Sequence, residues 1–271
     1  MPVIGLGTYE QLPKGTGRRR LEDDGIARGL RLGYRHIDSA VYYGNHESIP
    51  RALAATGVPR ADVFITTKVY RDKLAYDDVL SECERILTEL QTDYLDLFLA
   101  HWPNDDIPMA ETFRGMARLL DEGLVRDMGV ANFTRANLRK ALDASPAPIA
   151  MNQVEFHPLL YQAPLLEFCH EHDVHVTAYA PIAQGQVLDE PVLQQIGAAH
   201  GRSPVQVSLR WILQKGLVAV PKASGDAHLL ANLDLFDWTL SAAEVEAIDG
   251  IGKKVRIFNW EAVAAFSTDD G

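Results

Sequence analysis

The chain holds only two cysteines in 271 residues, Cys83 and Cys169. Two thiols make no disulfide framework, which points to a reducing compartment and makes a cytoplasmic protein the expectation. No apolar run approaches the roughly 20 residues of a membrane span. The opening MPVIGLGTYEQLPKGTGRRR places its charges after a short apolar run, the reverse of a secretory signal. Long basic runs are missing as well: 26 Lys and Arg face 37 Asp and Glu, a net charge of −11. That balance excludes a nucleic-acid or anionic-membrane footprint, yet a local pocket can still carry positive charge. Several motifs are also absent. Gly5-Leu6-Gly7 runs on to Glu10 where GxGxxG needs glycine, Lys253-Lys254 lacks the phosphate-loop spacing, and Ser39 has no GxSxG context. Cys169-His170-Glu171-His172 looks like a metal cluster, but residues two apart on a helix do not share a face, so no metal is expected. No repeat or Pro/Gly/Ser-rich linker divides the chain, and a single domain over residues 1–271 is expected.

What is present is a recurring short apolar run followed by a helical pattern. The runs are Val3–Gly7, Arg35–Asp38, Val63–Lys68, Leu95–His101, Arg126–Asn132, Ile149–Gln153, Val174–Tyr179 and Leu217–Lys222. Their near-continuous apolarity suits strands buried on both faces of a parallel sheet. Between them, Val79, Cys83, Ile86, Leu87 and Leu90 form one helical stripe, and Ser203-Pro204 makes an N-cap with proline at the first helical position. Eight such units favour an α/β fold of the (β/α)₈ TIM-barrel type; an open doubly wound sheet is the alternative.

A barrel gathers its site at the C-terminal ends of its strands. The runs end there in Asp38, Lys68, His101, Asn132, Gln153, Tyr179 and Lys222, with Tyr43 five residues beyond Asp38. Lysine is scarce, 8 against 18 arginines, so two on one rim carry weight. Strands commonly stop at polar residues, so each alone is weak; together they suggest chemistry. Tyrosine titrates near about 10. An ammonium about 4 Å away, at an effective dielectric near 20, favours the phenolate by about 4 kcal/mol, or about three pH units. Asp38 would hold Lys68 charged and offset part of that gain. The expectation is a phenol acidified by Lys68 that protonates a carbonyl oxygen, with a His101 N–H orienting that oxygen. No side chain supplies hydride, so a nicotinamide cofactor is implied.

The stretches GLGTY, LGYRHIDSAVYYGN, ITTKV, YLDLFLAHWP, MGVANF, NQVEFHP, VTAYAPIAQG, VPKASG and NLDLFDWTL, in this order, resemble the aldo-keto reductases, particularly small bacterial members similar to diketogluconate-reductase-like enzymes. The resemblance implies a (β/α)₈ enzyme that reduces aldehydes and ketones with NAD(P)H. It implies a catalytic tetrad of Asp38, Tyr43, Lys68 and His101, with Tyr43 as general acid. Asn132 and Gln153 would bond the nicotinamide carboxamide, and Tyr179 would stack on the ring. Gly7, Thr8, Lys222, Ser224, His228 and Asn232 would complete the cofactor site, Lys222 at the adenosine 2′-phosphate and Asn232 at the adenine. Tyr9, Trp102 and Phe133 would line the substrate pocket, with Trp260 a further candidate. Ala131 replaces the serine of GVSNF-bearing relatives, and His228 stands where an arginine is usual. The resemblance implies NADPH, with NADH admitted because of that histidine. The tail after Ile251 is brief, which suggests an open pocket. A monomer acting on a small-molecule carbonyl, without nucleic-acid or membrane partners, is the expected state. Two rivals are a Schiff-base lyase using Lys68 and a non-catalytic cofactor-binding subunit.

Overall fold

The computed structural model describes residues 1–10, 19–20 and 23–258. The strands are β1 (Leu6–Gly7), β2 (Tyr9–Glu10), β3 (Arg19–Arg20), β4 (His36–Asp38), β5 (Phe64–Val69), β6 (Leu95–Ala100), β7 (Val125–Ala131), β8 (Met151–Glu155), β9 (His175–Tyr179) and β10 (Val218–Ala219). The α-helices are α1 (Asp23–Arg31), α2 (Ser48–Thr56), α3 (Tyr76–Leu90), α4 (Met109–Asp121), α5 (Arg135–Ala144), α6 (Ala163–Glu171), α7 (Pro191–His200), α8 (Pro204–Gln214), α9 (Asp226–Leu233) and α10 (Ala242–Asp249). Eight strands form one parallel sheet in the order β1-β4-β5-β6-β7-β8-β9-β10, while β2 and β3 pair as a small antiparallel ribbon. The sheet curls until its edges meet. Ile4 and Ala219 form a parallel bridge, Gly5 N donates to Ala219 O at 2.9 Å, and Ala219 N donates to Val3 O at 2.9 Å. This is the arrangement expected of a (β/α)₈ fold.

Local sequence explains these elements. Every residue of β6 and of β8 is buried, as a strand covered on both faces requires. The one acid inside β6, Asp96, is accommodated because Arg60 (2.7 Å), Arg126 (3.1 Å) and the Ile65 N–H (3.0 Å) all donate to it. Ser203 and Gln206 form a capping box that starts α8. Val79, Cys83, Ile86 and Leu90 are the buried face of α3, with Leu87 at its margin.

Strand alternation decides what points inward. Leu97, Leu99, Ala131 and Met151 form a cluster apart from the main core, with Phe64 against it, and fill the inside of the curl. Gly129 belongs to this inner face: a Cβ there would lie 2.5 Å from Met151 O, so strands β7 and β8 meet only around glycine. Asp38, Lys68, Gln153 and Tyr179 continue the inward positions at the C-terminal ends of their strands. No helix among the described residues is long and apolar enough to cross a membrane.

Candidate active site

A cavity of about 370 Å³ opens at that end of the sheet. Asp38 terminates β4 and organises its floor. Asp38 Oδ1 accepts from Lys68 Nζ at 2.8 Å, and Oδ2 accepts from Gln153 Nε2 at 2.6 Å. Lys68 Nζ also donates to Ser39 O at 2.8 Å, and Thr8 Oγ1 donates to the Asp38 carbonyl at 2.8 Å. Tyr43 ends a 3₁₀ turn over Val41–Tyr43, which closes on Gly44 in the left-handed region (φ 63°). Its ring centroid lies 5.2 Å from Lys68 Nζ, 5.0 Å from the Tyr9 ring and 5.9 Å from the His101 ring. Four residues from four separate loops and strands therefore converge.

Electrostatics at this cluster differ from the expectation in one respect. The Tyr43 phenol is pushed well above the ordinary value of 10, by burial first and then by the Asp38 charge and the neighbouring tyrosines. The acidified phenol is thus corrected. Asp38 sits directly on the ammonium and cancels its field, and the desolvation of a phenolate then dominates. Burial likewise lowers the Lys68 ammonium, against the opposing pull of Asp38. His101 is held far below 6.5 by burial and by Lys68, so its imidazole is neutral. Its Nδ1 is buried without a hydrogen-bond partner, a cost that structures rarely carry without a functional reason.

Of the residues expected to hold a cofactor, Gly7, Asn132, Gln153, Tyr179 and Lys222 line the cavity. Asn132 adopts φ 62°, unusual for a side-chain-bearing residue. Its Nδ2 donates to His101 O at 3.0 Å, and its Oδ1 accepts from the Tyr179 hydroxyl at 2.8 Å. An aromatic face, two side-chain amides, a lysine and a glycine-lined edge on one wall suit a nicotinamide ring and its carboxamide. Thr8 is buried beneath this wall. Ser224 and His228 are exposed, and neither lines the cavity. Asn232 is buried on α9 with its side chain at the Tyr34 hydroxyl.

Of the residues expected at the substrate pocket, Tyr9 and Trp102 line the cavity, but Phe133 does not. Phe133 is buried and borders a separate small recess with Leu74, Phe113 and Ile107, because the chain turns outward after Asn132. Trp260 lies outside the described residues. Residues not anticipated complete the walls. Tyr42 and Tyr70 stack at 4.9 Å between centroids. Ala180, Pro181, Ile182 and Gln184 form a loop after β9 in which Ala180, Ala183 and Gln184 have positive φ. Phe258 leans on Tyr9 and Tyr179. The described part of the tail thus reaches the cavity wall at Phe258. Tyr42 and Tyr70 were legible as aromatics flanking Tyr43 and Lys68; nothing local marks Phe258. Among the described residues no group of three or more His, Cys, Asp or Glu is placed to hold a metal ion. Cys169 is a core thiol, and His172 faces the Phe168 carbonyl.

Comparison with known proteins agrees with this geometry. The model of the aldo/keto reductase family matches residues 3–253. A glyoxal reductase of Bacillus subtilis (strain 168) is 37% identical over 257 residues, covering 95% of this chain and 91% of that protein. A crystal structure provisionally described as a 2,5-diketo-D-gluconic acid reductase B superposes with a TM-score of 0.89 at 35% identity, covering 97% and 92% of the two chains. An aldo-keto reductase of Bombyx mori in complex with NADP gives a TM-score of 0.85 at 31% identity over 96% and 92%.

Proposed function

We propose a division of labour for a chain that belongs to the aldo/keto reductase family and is, with it, an NAD(P)H-dependent reductase of aldehyde and ketone carbonyls. Tyr43 is the general acid, Asp38 and Lys68 its supporting pair, and His101 the group that orients the carbonyl oxygen. The observation that carries this reading is the Asp38–Lys68 pair beneath Tyr43, beside a neutral His101 in the lining of the same cavity. A reduced nicotinamide, when bound, supplies hydride to the carbonyl carbon. The phenol, kept protonated by its burial, gives its proton to the carbonyl oxygen, and the product is the alcohol. The charge left on the Tyr43 oxygen is met by the Lys68 ammonium, whose other N–H bonds are committed to Asp38 and Ser39.

Asn132, Gln153 and Tyr179 would hold the nicotinamide end, with Gly7 and Thr8 shaping the backbone beside it. Lys222, Ser224, His228 and Asn232 would serve the adenosine end. NADPH is the preferred cofactor in this reading, with NADH admitted because a histidine, His228, stands where a fixed positive charge is usual. Tyr9 and Trp102 bound the carbonyl substrate, a small molecule. The chain acts as a monomer in the cytoplasm, as one closed (β/α)₈ domain over residues 1–271. The lyase rival finds no support: Lys68 is fully buried, with its ammonium held by Asp38 and Ser39. A non-catalytic subunit has no need of the buried pair beneath Tyr43. The test is loss of the reduced-nicotinamide absorbance over a panel of aldehydes and ketones, with each cofactor. Tyr43→Phe should abolish reduction while cofactor binding persists; unchanged reduction by that variant refutes the assignment.

A further inference from the structure

Glu155 is not used by the chemistry above, yet it is among the most deeply buried acids. It ends β8, two residues beyond Gln153, and its side chain is wholly sealed from solvent. A carboxylate in that position needs several donors. Its main donors are two consecutive backbone N–H groups of the C-terminal segment: Ile257 N donates to Oε1 at 2.6 Å and Phe258 N to Oε2 at 3.0 Å. His157 Nε2 lies 3.2 Å from Oε1, and Gln162 Nε2 donates to the Glu155 carbonyl at 2.6 Å. Successive N–H groups pointing at one anion form a concave grip in which the two acceptor oxygens fix both position and direction.

The gripped segment matters because of where it ends. Upstream, Val255 N donates to Leu159 O at 2.9 Å, and Lys253 is paired with Glu190 at 2.7 Å, so the chain is already laid against the loop that follows β8 and the start of α7. Beyond that anchor the Glu155 bonds turn Phe258 inward. Its ring stands 5.6 Å from the Tyr179 ring and 6.1 Å from the Tyr9 ring and forms part of the cavity wall. Tyr9 in turn packs against Tyr43 with its ring tilted by 39°. A buried charge at a strand end thus sets an aromatic wall that its own strand does not carry.

We propose that Glu155 is a positioning residue, a carboxylate clasp that holds the C-terminal segment in place and, through Phe258, sets the affinity of the cavity for its carbonyl substrate. The substrate part of this inference rests on the reading of the cavity as the reductase site; the clasp does not. Glu155→Gln keeps the size but replaces one acceptor oxygen with an amide NH₂ that opposes a backbone N–H. Phe258→Ala removes the wall and leaves the clasp.

Both variants and their combination are compared by hydrogen exchange and by steady-state kinetics. In Glu155→Gln, amides of the Lys253–Phe258 region should exchange at least tenfold faster, while those of β5 and β6 stay unchanged. KM for the carbonyl should rise several-fold in each single variant with kcat within about twofold, and the double variant should be no worse than Phe258→Ala. Cofactor affinity, followed by quenching of protein fluorescence, should change little. Unchanged exchange in Glu155→Gln overturns the clasp. Faster exchange with an unchanged KM, or additive effects in the double variant, overturns its link to substrate. If the wild-type protein reduced no carbonyl, the functional reading would fail on that ground, and exchange would still decide the clasp.

Discussion

The Lys68 ammonium and the Asp38 carboxylate meet at 2.8 Å with side chains only 1% and 4% exposed, so each is the other's main defence against desolvation. Removing one partner strands a charge in the core, which costs about 3–5 kcal/mol. Lys68→Met and Asp38→Asn should therefore each lower stability by that order and nearly eliminate reduction. The double variant Asp38→Asn with Lys68→Met should recover part of the stability and none of the activity. Urea unfolding midpoints and kcat/KM for the four proteins check both statements.

The direction of the Tyr43 shift fixes a pH profile. Reduction uses the protonated phenol, and burial raises its titration above the ordinary 10, so the acid form persists through neutral and moderately alkaline pH. His101 is neutral well below 6.5 and does not protonate on modest acidification. The kcat for reduction should then stay level from about pH 6 to about pH 9. Oxidation of the alcohol needs the phenolate and should climb across the same interval. A fall in the reduction rate centred near neutral pH would show that Lys68 wins over burial after all.

How much of this could be read in the chain depended on the range of the interaction. All eight parallel strands fall within the apolar runs or within two residues of them, because burial on both faces leaves a signature in each strand alone. Asp38, Lys68, His101, Asn132, Gln153 and Tyr179 were legible as polar residues closing such runs. The position of Phe133 was not, since alternation beyond the strand end sends its side chain away from the cavity and into a separate recess. Phe258 was hidden for the opposite reason: it is held by Glu155, 103 positions away, through backbone groups that have no sequence signal. The titration of Tyr43 failed as an expectation because spacing gives neighbours but not burial, and burial wins here.

His228 lies exposed on the first turns of α9, where Asp226 is paired with Arg28 at 3.0 Å. In the proposed cofactor site a histidine there lacks the fixed, bidentate charge that an arginine would offer a 2′-phosphate, and so forgoes a charge-assisted hydrogen bond worth about 1.5–3 kcal/mol. Discrimination for NADPH over NADH should be weaker by about one to two decades than with arginine at that position. His228→Arg should restore it, chiefly through KM for NADPH. The ratio of kcat/KM for the two cofactors, measured in both proteins, decides the point.

His46 follows Tyr43 by three residues, at the exit of the turn that presents it, and is only 2% exposed in its side chain. One ring nitrogen, Nδ1, meets Glu89 Oε2 of α3 at 2.8 Å; the other, Nε2, meets Thr67 Oγ1 of β5 at 2.8 Å. Thr67 is the outward neighbour of Lys68, so this imidazole ties the Tyr43 turn to the strand that carries the ammonium. Beside it, Asn45 Oδ1 accepts from Ser39 Oγ at 2.7 Å, which fastens the same turn to the end of β4. The bond from His46 also holds the Glu89 carboxyl below its ordinary range. His46→Ala leaves the buried Thr67 hydroxyl without its partner and should cost about 1–3 kcal/mol of stability. It should also lower kcat by about tenfold with KM little changed, since about 1.4 kcal/mol of lost alignment at the proton donor is enough. His46→Gln keeps a donor and an acceptor and should retain more of both. A stability loss with kcat untouched would confine His46 to the fold.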